Sequence, residues 1–385
     1  MLKNYFICLP SLQGSLEDEW EQCRRQIIKI ISIGNKPLKL NIFVDHSDYQ
    51  SFLDIKEAII LSVNETFGAQ IPALNVTAHP PEKPWKIAIE AAFIINDDSE
   101  LIYRIWNSIP YVVRISHYGK EIWANGLGEG IFPTDTSKAA EAAFDQMRML
   151  LKAENMSFNH LVRQWNYIGN ILKVKDEFQN YQLFNEVRNK NYKKYRTITG
   201  YPAATGVGMK QGGVKLDFYA ISAEKSIKIT AVNNPDQIKP YAYGQQVLKG
   251  IPLGGTETKQ APQFERAVLL SNGHNKTILI SGTASIIGQD TIGIGDIEKQ
   301  TEITIQNIRR LYENGSAGVL KGDSDKDSGR VILLRVYIKD QVDFAKVRSI
   351  CESHYPDVPT VYIEADICRD DLLVEIEAEI SEINY

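Results

Sequence analysis

One pattern of elements occurs twice in this 385-residue chain, and it limits the possible folds more than any other feature. Residues 331–379 read as a strand, a turn at Lys339-Asp340, a helix from Asp343, and two strands closing on Glu-Ile-Glu-Ala. Residues 38–92 carry the same elements in the same order, with a longer helix. The closing pieces Pro72–Ala88 and Pro359–Glu375 align without a gap, Pro72 on Pro359 and Ala78 on Ala365. Just beyond them Ile89-Glu90-Ala91 falls on Ile376-Glu377-Ala378. Alternation with period two marks these pieces as half-buried strands. The first copy has Ala88 where the other has Glu375, so it lacks that acid.

A more diverged copy lies between them. YGKEIWANGLG (118–128) resembles NKTILISGTAS (275–285), each a strand running into glycine. Apolar residues at helical spacing then predict helices over 137–155 and 295–314. LVRQWNYI (161–168) and LLRVYIKD (333–340) follow and set Arg163 opposite Arg335. The middle copy closes with residues 201–220, which place Asp217 near the Glu375 position. The expectation is an α/β protein of three sheet-plus-helix units, 1–95, 96–222 and 223–385, around a pseudo-three-fold axis.

Composition narrows the function classes. A net charge of −5 argues against a constitutive nucleic-acid binder. Cys8, Cys23, Cys351 and Cys368 are too scattered for a disulfide framework, which fits a reducing, cytoplasmic setting. His46, His79, His117, His160, His274 and His354 show no metal-ligand spacing, so a zinc site is not expected. No apolar run approaches the length of a membrane span, and MLKNYFICLPSLQGSLEDEW lacks the layout of a signal peptide. The glycines of GLGEG (126–130) and IGIGD (292–296) lack a full phosphate-loop pattern and read as turns.

The order SGTAS, GDIEKQTEITIQNI, LRVYIKDQVDF and VYIEADICRDDLLVEIEAE resembles that of Rid/YjgF proteins, homotrimers of chorismate-mutase-like fold with a ligand site at each subunit interface. The stretch from Cys368 to Glu377, together with RQWNYI (163–168) and YPAATGVGM (201–209), is more similar to the chorismatases, which share that fold. The resemblance is strongest over residues 160–385; the N-terminal third carries only the fold signal. It implies three Rid/YjgF-like units fused into a pseudo-trimer, monomeric in solution, with the working pocket between neighbouring units. The chemistry it implies is cleavage of the enolpyruvyl ether of chorismate to pyruvate and a hydroxybenzoate, 3-hydroxybenzoate being favoured, with no external cofactor or metal.

Such chemistry needs a proton donor aimed at the enol methylene carbon, and Glu375 is the candidate. Read from the residues alone, Glu375 is either a desolvated acid or a surface glutamate of an alternating strand. Glu377, on the same face, serves to orient it or is the acid itself. A dianionic substrate calls for arginines, and Arg163 and Arg335 are candidates for binding it or for plain ion pairs. Tyr201 is a third candidate binder, with packing as its other reading. The resemblance also implies that Gly282 and Cys368 mark the aromatising subtype, whereas hydrolytic members carry alanine. Cys368 otherwise reads as a small buried hydrophobe. One departure is Gln289, where the family pattern has a histidine.

Two rivals remain at this stage. A Rid-type imine deaminase uses an interface arginine fifteen residues before the acid, and that position is Thr360. A non-catalytic module binding an aromatic acid would need no acid at all.

Overall fold

The computed structural model describes residues 3–95, 99–116, 118–224, 227–252, 257–272, 275–313 and 330–383; His117, His274 and the helix end expected at Asn314 lie outside them. The chain forms one four-stranded and two six-stranded sheets, each with its own helices.

The first sheet takes β1 (Lys3–Cys8), β2 (Lys36–Val44), β3 (Ala73–Thr77) and β4 (Ile87–Ile94), with α1 (Leu16–Ser32) and α2 (Tyr49–Phe67) between strands. Sequence sets these helix starts. Ser15 and Asp18 form a reciprocal capping box on α1, and Asp48 caps α2. The second sheet takes β5 (Glu100–Trp106), β6 (Ile109–Ser116), β7 (Gly119–Leu127), β8 (Leu161–Gly169), β11 (Ala203–Met209) and β12 (Val214–Ala223). Among them lie α3 (Thr136–Ala153), the small hairpin of β9 (Val174–Lys175) with β10 (Phe178–Gln179), and α4 (Asn180–Tyr195). The third takes β13 (Lys228–Val232), β14 (Ala267–Ser271), β15 (Asn275–Ala284), β18 (Arg330–Ile338), β19 (Thr360–Glu364) and β20 (Val374–Ile383). Its helices are α5 (Ile297–Glu313) and α6 (Phe344–His354), and β16 (Ile286–Ile287) pairs with β17 (Asp290–Thr291) outside the sheet.

Each sheet contains the same run of four strands: β1-β4-β2-β3, β7-β12-β8-β11 and β15-β20-β18-β19. In each run the last pair is parallel and the other two pairs are antiparallel. The strand period of two divides every sheet into a helix face and an inner face. On β20, Val374, Ile376, Ala378 and Ile380 join the helices in one core, which leaves Glu375, Glu377 and Glu379 on the inner face. The inner faces of all three sheets meet: one cluster joins Ala92 and Ile94, Trp123 and Tyr219, and Val268 and Leu279.

Strand register refines the expected correspondences. Ala88 pairs with Phe43 as Glu375 pairs with Tyr337, which agrees with the alignment of the closing strands. Asp217, expected near the Glu375 position, pairs with Trp165, whereas Lys215 pairs with Tyr167. With Tyr167 matched to Tyr337, Lys215 takes the Glu375 position and Asp217 that of Glu377. Arg335 stands across from Glu377, but Arg163 stands across from Tyr219, so the two arginines are not in equivalent register.

Candidate active site

A cavity with about 850 Å³ of empty space, part of it open to solvent, lies between the second and third sheets. Ala204, Thr205 and Gly206 of β11 form one wall, and Gly282 and Ala284 of β15 the facing one. The polar side chains of Gln182, Asn185 and Arg188 recur every third residue of α4 and reach it from the side. Residues between Tyr243 and Lys249 and between Gln260 and Arg266 cross over it, and Cys368, Arg369 and Glu375 close its base.

Glu375 is 4% exposed. Burial, and then the negative charge of Glu377, push its carboxyl up to about 8, against a smaller downward pull from Arg163 and Arg266. The group therefore holds its proton at neutral pH. Gly282 makes this placement possible, because a Cβ there would stand 1.9 Å from Glu375 Oε1. Burial pushes the Cys368 thiol up to about 12, with Glu375 adding to the effect, so its sulfur stays protonated and acts as a weak donor rather than a nucleophile.

Three guanidinium groups face the same space. Arg188 Nη2 donates to Asn185 Oδ1 at 2.5 Å, and its buried Nε has no partner. Arg266 Nη2 donates to Ile238 O at 3.0 Å and to the Tyr243 hydroxyl at 2.5 Å, and its Nε is likewise unmatched. Arg369 Nη1 donates to Gln289 O at 2.7 Å, with its guanidinium carbon 5.2 Å from the centre of the Tyr243 ring. Among the described residues none of the three forms an ion pair with a carboxylate. Arg188 and Arg266 are buried, and buried charges are ordinarily paired, so this arrangement can accommodate an anionic guest.

Of the residues singled out in the sequence, Glu375, Cys368 and Gly282 come together in this cavity, and Arg163, Arg335, Tyr201, Glu377 and Gln289 do not line it. Arg163 and Arg335 turn into the junction of the three sheets, where each binds Glu377 at 2.7 Å and Arg335 also forks onto both oxygens of Glu90 at 2.7 Å. Tyr201 stacks on Tyr192 and meets Tyr241 edge-on, both outside the cavity lining. Gln289 accepts from the Gly244 N–H at 2.9 Å and braces the crossing segment. Among the described residues there is no group of three or more His, Cys, Asp or Glu placed to hold a metal, and no helix is long and apolar enough to cross a membrane.

Sequence reasoning missed Arg188, Arg266 and Arg369. Arg369 sits beside Cys368 in a motif already in view, and Arg188 belongs to a three-residue polar periodicity. Arg266 carries no local signal, since the irregular chain ahead of it decides where it points.

Comparison with known proteins gives two family matches: chorismatase FkbO/Hyg5-like, N-terminal, over residues 124–222, and endoribonuclease L-PSP over residues 257–381. A protein named 3-hydroxybenzoate synthase from Streptomyces hygroscopicus is 31% identical over 248 residues, covering 63% of this chain and 68% of that protein. A protein named chorismatase from Streptomyces rapamycinicus is 31% identical over 235 residues, covering 59% of this chain and 65% of that one. The matches thus span about two thirds of these curated relatives. A crystal structure of a chorismatase aligns over 98% of both chains, with a TM-score of 0.65 and 20% sequence identity, a likeness of fold.

Proposed function

Because the chain belongs to the chorismatase family, we propose that it cleaves the enolpyruvyl ether of chorismate, releasing pyruvate and a hydroxybenzoate, 3-hydroxybenzoate being favoured. The observation that carries this reading is a buried Glu375, its carboxyl pushed up by burial and by Glu377, in a cavity with three guanidinium groups that have no carboxylate partner among the described residues. Arg188, Arg266 and Arg369 hold the two carboxylates of the dianion. Glu375 delivers its proton to the enol methylene carbon, the oxocarbenium-like centre so formed collapses with cleavage of the ring carbon–oxygen bond to release pyruvate, and a proton lost from the ring as it aromatises restores the acid. Substrate and products have the same overall composition, so no co-reactant is consumed. Cys368, as a neutral thiol at the base of the cavity, guides a ring oxygen or proton during aromatisation.

The shared strand order of the three sheets supports reading the chain as three fused Rid-like units around a pseudo-three-fold axis, self-sufficient as a monomer. The cleft between the first two sheets has Lys215, ion-paired to Glu129, where the working cleft has its acid. The cleft between the third and first has Ala88 there, leaving, among the described residues, one site with an acid at this position. A Rid-type deaminase is disfavoured, because the cation it needs is replaced by Thr360, whose hydroxyl donates to Val358 O at 2.9 Å.

Two expected outcomes belong to this reading. Because the acid must be protonated to act, kcat/KM is expected to be flat on the acidic side and to fall about tenfold per pH unit above pH ~8. Gly282→Ala is expected to lower hydroxybenzoate formation by about 10²-fold, since the added methyl displaces the Glu375 carboxyl from its position over β15. The proposal itself is tested by incubating the purified protein with chorismate and measuring pyruvate and aromatic products together. Equimolar pyruvate and 3-hydroxybenzoate, insensitive to chelators, support it. A non-aromatic dihydrodiol as sole product overturns the assigned product, and tight binding without turnover overturns the enzymatic reading.

A further inference from the structure

The two carboxylates at the start of β20 share a face and differ in their surroundings. Glu377 accepts from Arg163 and Arg335 at 2.7 Å each, from Trp165 Nε1 at 2.9 Å and from the Thr205 hydroxyl. Arg335 continues to Glu90, so the chain Glu90–Arg335–Glu377–Arg163 draws on all three sheets, and none of its side chains is more than 5% exposed. Every one of these partners gives a hydrogen to Glu377, which is what an ionised carboxylate requires. Among the described residues Glu375 has no comparable set of donors. Facing it are Glu377 on its own strand, Arg163 from β8, Arg266 ahead of β14, and Cys368 before β20, with Tyr181 beyond the thiol on α4. Arg188 and Arg369 line the same cavity. Two neighbouring carboxylates in a desolvated site do not both ionise, and the one rich in donors takes the charge.

We propose that Glu377 is a positioning residue for the acid: clamped between Arg163 and Arg335, its fixed negative charge holds the proton on Glu375. Glu90 makes the first sheet, which carries Ala88 at the Glu375 position, part of that clamp. Thr205 ties the clamp to the cavity wall, because its hydroxyl oxygen also accepts from the Gly282 N–H at 2.9 Å. The inference rests on Glu375 being the acid proposed above, and it assigns Arg163 and Arg335 to the acid's electrostatics rather than to substrate contact.

The test compares pH profiles of kcat/KM for the full-length wild type, Glu377→Gln and Glu90→Gln. Loss of either negative charge is expected to move the alkaline limb to lower pH, by about one unit or more for Glu377→Gln and by less for Glu90→Gln. A role confined to stability would leave the limb in place. Should Glu377→Gln fail to fold, Glu90→Gln and a substrate-free readout suffice. The infrared band of the protonated Glu375 carboxyl, assigned by subtraction of Glu375→Gln, is titrated in wild type and Glu90→Gln. A lower midpoint in Glu90→Gln supports the clamp, and equal midpoints overturn it. Full activity in Glu375→Gln would instead overturn the assignment of the acid, a separate outcome because the infrared titration needs no turnover.

Discussion

Exchange of Glu375 for glutamine is expected to lower turnover of chorismate by about 10²–10⁴-fold, the usual worth of a general acid. Glutamine keeps the shape of the side chain and its hydrogen-bonding capacity, and it has no acidic proton to deliver to carbon. Affinity should change little, since the substrate carboxylates are assigned to Arg188, Arg266 and Arg369. Steady-state rates and equilibrium binding of chorismate, measured side by side, separate the two effects. A stability signature follows from the same group. The folded protein holds the Glu375 proton to about pH 8, whereas an unfolded chain releases it near the ordinary value of 4.5. Between those limits the folded state binds more protons, so this residue's contribution makes folding less favourable as pH rises. Glu375→Gln removes that cost, and at pH 9 the variant should be more stable than the wild type even as it loses activity.

Removal of Arg335 should act on the fold itself. Arg335→Ala deprives Glu90 of both its guanidinium bonds and Glu377 of one, at a point 1% exposed where the three sheets meet. Breaking a buried ion pair from one side costs about 3–5 kcal/mol, because the remaining charge stays buried without its partner. Denaturant titration should show a lower midpoint with an unchanged slope, the mark of a loss of stability rather than a change in compactness. Arg335→Met combined with Glu90→Gln should recover much of the loss, since neutral side chains in place of both charges leave less uncompensated. Wild-type stability in Arg335→Ala would mean that the junction is not the desolvated site described above.

The repeat was legible because a strand carries its own period. Val374, Ile376 and Ala378 alternate with Glu375 and Glu377, and the same alternation through Ile87, Ile89 and Ala91 identified the first copy before any contact was known. That alternation put both acids on one face. It did not say which keeps its proton, because the deciding partners Arg163 and Trp165 lie 214 and 212 positions away on another sheet. The arginines divided on the same ground. An arginine between apolar neighbours must face either a pocket or an ion pair, and only the meeting of three sheets decides for Arg163 and Arg335. Arg266 depends on an irregular segment with no period to read, and Tyr201 on ring stacking against α4. Register in the diverged middle copy was the other gap: two residues decide whether Asp217 or Lys215 stands at the Glu375 position, and since both lie on the same face of β12, alternation alone does not choose between them.

The most direct measurement of the account is a crystal structure of Glu375→Gln with chorismate bound, the slow variant preserving the substrate. The expected result is chorismate in the cavity between β11 and β15, its two carboxylates on guanidiniums drawn from Arg188, Arg266 and Arg369, and its enol methylene carbon against the residue 375 side chain. Chorismate bound in another cleft, or seated here with its enol carbon turned away from position 375, would contradict it.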